Sequence, residues 1–231
     1  MLKYVLRVVA VLLIGYSLVV IGQYFYDYLQ VETEIKDLTK QRTNQSFQQL
    51  SSEYEEIVGW IDIKDTRLHQ PIVQTTNNEF YLTHNYKGEQ ARTGAIFMDY
   101  RNHPHFTDQN TILYGHVLRT GAMFGDLPKY ENEQYARTHA EIEIEAANET
   151  LVVEIFAAYE TTIEDAYLKT HFSTKEFLMY VKDIQAKSAW TSSIVLNEKD
   201  QIVTLSTCTT SLNDDERFVV HAKIVERIEK K

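Results

Sequence analysis

From residue 58 onward the chain breaks into short runs of strand length, some alternating apolar with polar residues and others nearly continuous in apolar ones. Gly59-Trp60-Ile61-Asp62-Ile63 has the period of two expected of a half-buried strand. Pro71–Gln74, Ala95–Asp99 and Thr111–Tyr114 read as three more strands. Glu141-Ile142-Glu143-Ile144-Glu145 alternates strictly, and Asn148-Glu149 turns it into Leu151–Tyr159, which predicts a hairpin. Ile202–Thr207 and Phe218–Val225 complete a set of eight. The expected fold is mostly β, an eight-stranded antiparallel or mixed barrel. One segment departs from the pattern. Ser173–Lys187 carries Phe177, Tyr180, Val181 and Ile184 at helical spacing, with Ser173 or Thr174 as N-cap and Glu176 completing a capping box. A helix is therefore expected before the Cys-bearing strand. No internal repeat or low-complexity linker marks a second globular domain.

The N-terminal part has a different texture. Val8–Gly22 contains no charged residue, and the apolar stretch from Tyr4 to Tyr26 has the length of a bilayer crossing. Arg7 sits near its end, able to snorkel. Lys3 and Arg7 precede the span and Asp27, Glu32 and Glu34 follow it, which predicts a cytoplasmic N-terminus and an extracytoplasmic remainder. Without a small-x-small cleavage site after the run, an uncleaved signal anchor is expected. Gln23–Leu50 has neither Pro nor Gly and repeats Leu29, Ile35, Leu38, Phe47 and Leu50 at roughly helical spacing. It reads as a juxtamembrane helix or helix pair that packs on the domain. The expected organisation is residues 1–26 as anchor, 27–57 as juxtamembrane helical region and 58–231 as β-barrel domain.

The net charge of −10 argues against a nucleic-acid partner. A single cysteine, Cys208, excludes an intramolecular disulfide. Alone, such a residue is most simply a small buried hydrophobe. Its placement changes that reading. Cys208 ends the apolar run Ile202-Val203-Thr204-Leu205, His116 ends Thr111–Tyr114-Gly115, and Arg217 opens Phe218-Val219-Val220. Three polar groups at three strand ends can meet at one rim of a β-structure. A thiolate attacks a carbonyl, an imidazole moves the proton, and a guanidinium stabilises the oxyanion or holds the substrate backbone. An ion pair of Arg217 with Asp214, Asp215 or Glu216 is the bland alternative. Tyr114 reads as a packing residue. His103-Pro104-His105 reads as a loop, and neither metal nor cofactor is expected.

Thr204-Leu205-Ser206-Thr207-Cys208, the Gly115-His116 pair and the strand-opening Arg217 resemble the sortases. Gly94-Ala95-Ile96-Phe97-Met98-Asp99-Tyr100-Arg101-Asn102 and Gly121-Ala122-Met123-Phe124-Gly125-Asp126-Leu127-Pro128-Lys129-Tyr130 are similar to segments of class B sortases, over roughly residues 30 to 228. The resemblance implies a sortase-like barrel with an N-terminal helical extension. It implies a cysteine transpeptidase of a Gram-positive cell membrane. Such an enzyme cleaves an NPQTN- or LPxTG-like C-terminal sorting motif of a secreted protein. It holds the acyl group as a Cys thioester and passes it to an amine, usually of the peptidoglycan precursor. His116, Cys208 and Arg217 are then the catalytic residues. Asn78 matches a segment near the family's substrate groove, although it also suits a turn. Ser206 and Thr207 flank the site; strand alternation predicts that only one of them faces the groove. Three alternatives stay open: a pilin-polymerising class B sortase, a secreted cysteine protease that only hydrolyses, and a non-catalytic membrane-tethered scaffold.

Overall fold

A computed structural model describes residues 2–118, 120–208 and 215–230, with the side chains of residues 27, 28, 30, 31, 34, 35, 39, 41, 43, 44, 174 and 208 outside that description. The chain divides into two units, Met1–Asn44 and Gln45–Lys231. The first is one helix, α1 (Leu2–Asn44). Within it Leu2–Tyr26 forms a stretch of 25 residues whose mean hydropathy reaches 2.4. At about 1.5 Å per residue this exceeds the roughly 30 Å hydrocarbon core of a bilayer.

The second unit opens with α2 (Phe47–Glu53). Its start is fixed by a reciprocal cap. The Ser46 side chain accepts from the Gln49 backbone N–H, and the Gln49 side chain accepts from the Ser46 N–H. Eight strands follow: β1 (Ile57–Asp62), β2 (His69–Val73), β3 (Ile96–Met98), β4 (Asn110–Gly115), β5 (Glu141–Ala146), β6 (Glu149–Thr162), β7 (Ile202–Cys208) and β8 (Glu216–Glu229). They close in the order β1-β2-β3-β4-β7-β8-β6-β5. The barrel is mixed: β2–β3 and β4–β7 pair in parallel, the other neighbours antiparallel. Closure gives every described strand two neighbours, with the long β6 and β8 extending beyond their pairings with β5 and β7. A short helix, α3 (Glu133–Thr138), is capped by the Asn132 side chain.

Alternation along the strands sorts side chains into two layers. Ile61, Ile72, Ile96, Leu113, Val203, Leu205 and Val220 belong to one buried cluster, the apolar filling of the barrel. Residues of opposite parity, Phe156, Tyr159, Ile202 and Val219, join a second cluster with Phe177, Tyr180, Val181 and Ile184 of α4 (Thr174–Lys187). The apolar stripe of α4 therefore covers the outside of β6, β7 and β8. Each such side chain contributes about 1.5–3 kcal/mol by leaving water. The expected capping box is present, with the Ser173 N–H donating to Glu176 at 2.8 Å.

One polar network crosses this outer layer. Thr204 donates its hydroxyl to Asn110 Oδ1 at 2.7 Å, and the Thr204 oxygen lies 2.9 Å from His221 Nδ1. The other ring nitrogen, Nε2, is 3.3 Å from the Tyr159 hydroxyl. The Asn110 amide nitrogen donates to the backbone carbonyls of Tyr167 and Lys169 at 3.2 and 2.9 Å.

Candidate active site

Strand register brings the three chemically suggestive residues to one level. In the parallel β4–β7 pair, Tyr114 faces Ser206 and Gly115 faces Thr207. His116 and Cys208 are the next residues along each strand. In the antiparallel β7–β8 pair, Thr207 faces Phe218 and Cys208 faces Arg217. Adjacent strands lie about 4.7–4.9 Å apart, so the three positions span roughly two strand spacings.

Local packing holds His116. Gly94 has φ +59, and a Cβ there would stand 2.4 Å from the Tyr81 carbonyl oxygen and 3.1 Å from His116 Cδ2. Only glycine lets the chain turn this close beneath the imidazole. His116 Nε2 lies 2.8 Å from the backbone oxygen of Leu82. A carbonyl can only accept, so Nε2 carries the hydrogen, and Nδ1 is the nitrogen left to exchange a proton.

Beside these residues opens a cleft of about 230 Å³. Phe97 of β3, Tyr114 of β4, Ser206 and Thr207 of β7 and Arg217 of β8 line it, all from neighbouring strands. Asn78 and Leu82 reach it from the β2–β3 connection; Ile163, Tyr167 and Leu168 reach it from the β6–α4 connection. These two connections leave the strand order from opposite ends of the β3-β4-β7-β8 stretch and flank it.

The polar groups around the cleft are mutually oriented. Asn78 Nδ2 donates to Asp99 Oδ2 at 3.0 Å, and Asn78 Oδ1 accepts from the Tyr100 N–H at 3.0 Å. Tyr114 donates its hydroxyl to Asp99 Oδ2 at 2.9 Å. Ser206 Oγ donates to the Tyr167 hydroxyl at 3.1 Å. Burial of Asp99 opposes its charge, but hydrogen bonds from Arg101, Tyr114 and Asn78 outweigh that cost and hold the carboxyl below its ordinary value. Burial, reinforced by Asp99, pushes the Tyr114 phenol well above its ordinary range. Arg217 is half-buried and donates to the Glu216 backbone oxygen at 2.8 Å. Asp214 lies outside the described residues, as does the Cys208 side chain.

A family model described as the sortase domain matches residues 61–225. The chain belongs to the sortase family. Sortase B of Listeria monocytogenes is 40% identical over 200 residues, covering 86% of this sortase and 76% of that protein. Sortase B of Staphylococcus aureus is 32% identical over 239 residues, covering 96% and 95%. A crystal structure of sortase B from B. anthracis in complex with AAEK1 superposes with a TM-score of 0.79 at 37% identity, over 89% of this chain and all of that one. A Staphylococcus aureus sortase B–substrate complex gives 0.74 at 31% identity, over 91% and 98%. The sortase is thus of class B and a cysteine transpeptidase.

Two details of the sortase cleft depart from the sequence reading. Ser206 and Thr207 both line it, because the cleft wraps the end of β7 rather than one face of it. Tyr114 is not merely packing: its hydroxyl donates to Asp99 while its ring borders the cleft. Leu82, Ile163, Tyr167 and Leu168 were not singled out by sequence. They lie in connections without periodicity, where no local signal marks a cleft residue. Asp99 had a weak signal, a carboxylate directly following an apolar strand.

Proposed function

We propose that this class B sortase is tethered to a membrane by Leu2–Tyr26, with its barrel outside the cytoplasm. There it cleaves a C-terminal NPQTN- or LPxTG-like sorting motif of secreted proteins and transfers the acyl group to an amine of the peptidoglycan precursor. Cys208 attacks the scissile carbonyl as thiolate: a C–S bond forms, the C–N bond breaks, and imidazolium His116 protonates the leaving amine through Nδ1. The incoming amine then attacks the thioester. Neutral His116 takes its proton, a new C–N bond forms, and the C–S bond breaks to return the thiolate. Arg217 donates to the oxyanion or to the substrate backbone.

The observation that carries this reading is the register, with Cys208 paired to Arg217 and His116 one residue beyond the Gly115–Thr207 pair. The tether rests on the apolar 25-residue stretch at the start of α1. The test uses the full chain in detergent with peptides carrying either motif, with and without an amine acceptor. Wild type should form a Cys208 acyl adduct seen by mass spectrometry and convert it to the amide product when amine is present. Cys208→Ala should do neither while keeping its thermal midpoint. Turnover in Cys208→Ala would remove the nucleophile assignment, and hydrolysis unaltered by amine would replace transpeptidation with proteolysis.

A further inference from the structure

We propose that Asp99 and Arg101 form a clasp that joins the two flanks of the cleft, acting as positioning residues for substrate binding rather than for the chemical step. This rests on the transpeptidase reading above. Asp99 follows the last residue of β3, and its side chain is completely buried, with 0% exposure. A carboxylate in that position needs donors on both oxygens. Oδ1 accepts from the Arg101 backbone N–H and from Arg101 Nε at 2.9 and 2.8 Å. Oδ2 accepts from Arg101 Nη2 at 2.7 Å, from Asn78 at 3.0 Å and from Tyr114 at 2.9 Å.

Each of these bonds sets the polarity that the cleft presents. The carboxylate only accepts, so it draws the Asn78 NH₂ inward, while the Tyr100 N–H draws the amide oxygen the other way. The Asn78 amide therefore has one allowed orientation, with one N–H and one lone pair to spare. The Tyr114 hydrogen is spent on Asp99, which leaves its oxygen as an acceptor.

Arg101 carries the link across. Nε and Nη2 fork onto the two oxygens of Asp99, and Nη2, which has two hydrogens, also donates to the Leu168 backbone oxygen at 3.1 Å. Leu168 belongs to the opposite flank. Asn110 grips the carbonyls on either side of it, those of Tyr167 and Lys169. One planar guanidinium thus connects the Asn78–Tyr114 side to the Leu168 side. The Arg101 side chain is 40% exposed, but its carboxylate partner has no exposure, so the pair is unlike a solvent-screened surface bridge. Lysine keeps the charge yet cannot supply the fork and the Leu168 contact together.

The experiment compares wild type, Arg101→Lys and Asp99→Asn as full chains in detergent, measuring kcat and KM for sorting-motif peptide cleavage. Alkylation of Cys208 by iodoacetamide and the thermal midpoint are followed in parallel. Arg101→Lys should raise KM about tenfold or more, the scale of one lost charge-assisted hydrogen bond. Its kcat should stay within about threefold of wild type and its alkylation rate should be unchanged. Asp99→Asn, whose amide repels that of Asn78, should raise KM further; if it fails to fold, Arg101→Lys alone decides. A variant that loses kcat with KM unchanged, as a smaller folded fraction would produce, overturns the clasp, and so does wild-type KM. Wild type that forms no acyl adduct with any sorting peptide overturns the transpeptidase reading and the clasp with it.

Discussion

His221 should make this barrel acid-sensitive in a calculable window. The residue is fully buried, and loss of water pushes its imidazole down from 6.5 to about 3. The hydrogen-bond network assigns the neutral tautomer. Asn110 turns its NH₂ toward the carbonyls of Tyr167 and Lys169, so its Oδ1 must take the Thr204 hydrogen. Thr204 is then left to accept from His221 Nδ1–H, and Nε2 accepts from the Tyr159 hydroxyl. A second ring proton would place a positive charge inside an apolar layer that stacks Tyr159 on the ring.

The unfolded chain binds a proton at His221 below about pH 6.5, whereas the folded chain does so only near pH 3. Between those values the unfolded state holds more protons, so stability rises with pH and falls as pH drops. Each unit contributes about 1.4 kcal/mol. From pH 6.5 to 4 the loss is roughly 3 kcal/mol, and across the whole window of order 5, against a typical total of 5–15 kcal/mol. The assay is urea unfolding of the full chain in detergent, read by tryptophan fluorescence, for wild type and His221→Gln. Both tryptophans, Trp60 and Trp190, report on the second unit. The variant should be weaker by about 1–3 kcal/mol at pH 7, the cost of disturbed buried hydrogen bonds. The gap should close toward pH 4, because only wild type carries the His221 penalty. Parallel curves for the two proteins would refute the buried-neutral assignment.

Three further outcomes bear on the site. Gly94→Ala, at φ +59 with a Cβ 2.4 Å from the Tyr81 oxygen, should displace the turn beneath His116; peptide cleavage should fall by about tenfold, and an unchanged rate would show that the turn is not needed. His116→Ala should lose on the order of 10²–10⁴ in acylation rate. In wild type, kcat/KM should vary with pH, and a flat profile between about pH 5 and 10, where His and Cys ordinarily titrate, would count against a Cys–His pair. Arg217→Lys keeps charge but loses the planar fork; a loss on the order of 10²–10³ in kcat fits a directed oxyanion donor, and near-wild-type kcat/KM would reduce Arg217 to a counter-charge.

β5 was readable because its burial alternates, with Ile142 and Ile144 inside and Glu141 and Glu143 outside. β2, β3, β4 and β7, buried almost throughout, were readable as short apolar runs. The α4 helix was equally readable, since its stripe and its Ser173–Glu176 box are local signals. The order of closure was not. Nothing in Thr111–Tyr114 says that its neighbour will be Ile202–Thr207, some ninety residues on and parallel. That pairing is what brings His116 to the level of Cys208. The cleft connections were opaque for a related reason. Tyr167 and Leu168 are placed by side chains of Asn110, Arg101 and Ser206, all distant in sequence. The role of Asp99, read only as the end of the strand Ala95–Asp99, was hidden because its burial depends on Asn78 and Tyr114, 21 and 15 residues away.

The division of the barrel into two layers explains why the cleft can be both polar and fixed. The filling of the barrel is apolar and supplies rigidity without direction. Direction comes from particular polar side chains around the outer layer and the cleft, whose partners fix one orientation. The Asn110 amide cannot invert, because carbonyls stand at one end and the Thr204 hydroxyl at the other. The Asn78 amide cannot invert, because a carboxylate stands at one end and an N–H at the other. A fully satisfied buried network of this kind costs more to rearrange than the sum of its weak bonds indicates. It passes the orientation of β3, β4 and β7 to the two connections that flank the cleft. Under the proposed function, a peptide entering between them would meet donors and acceptors already aimed, so the ordering cost would fall on the peptide and not on the enzyme.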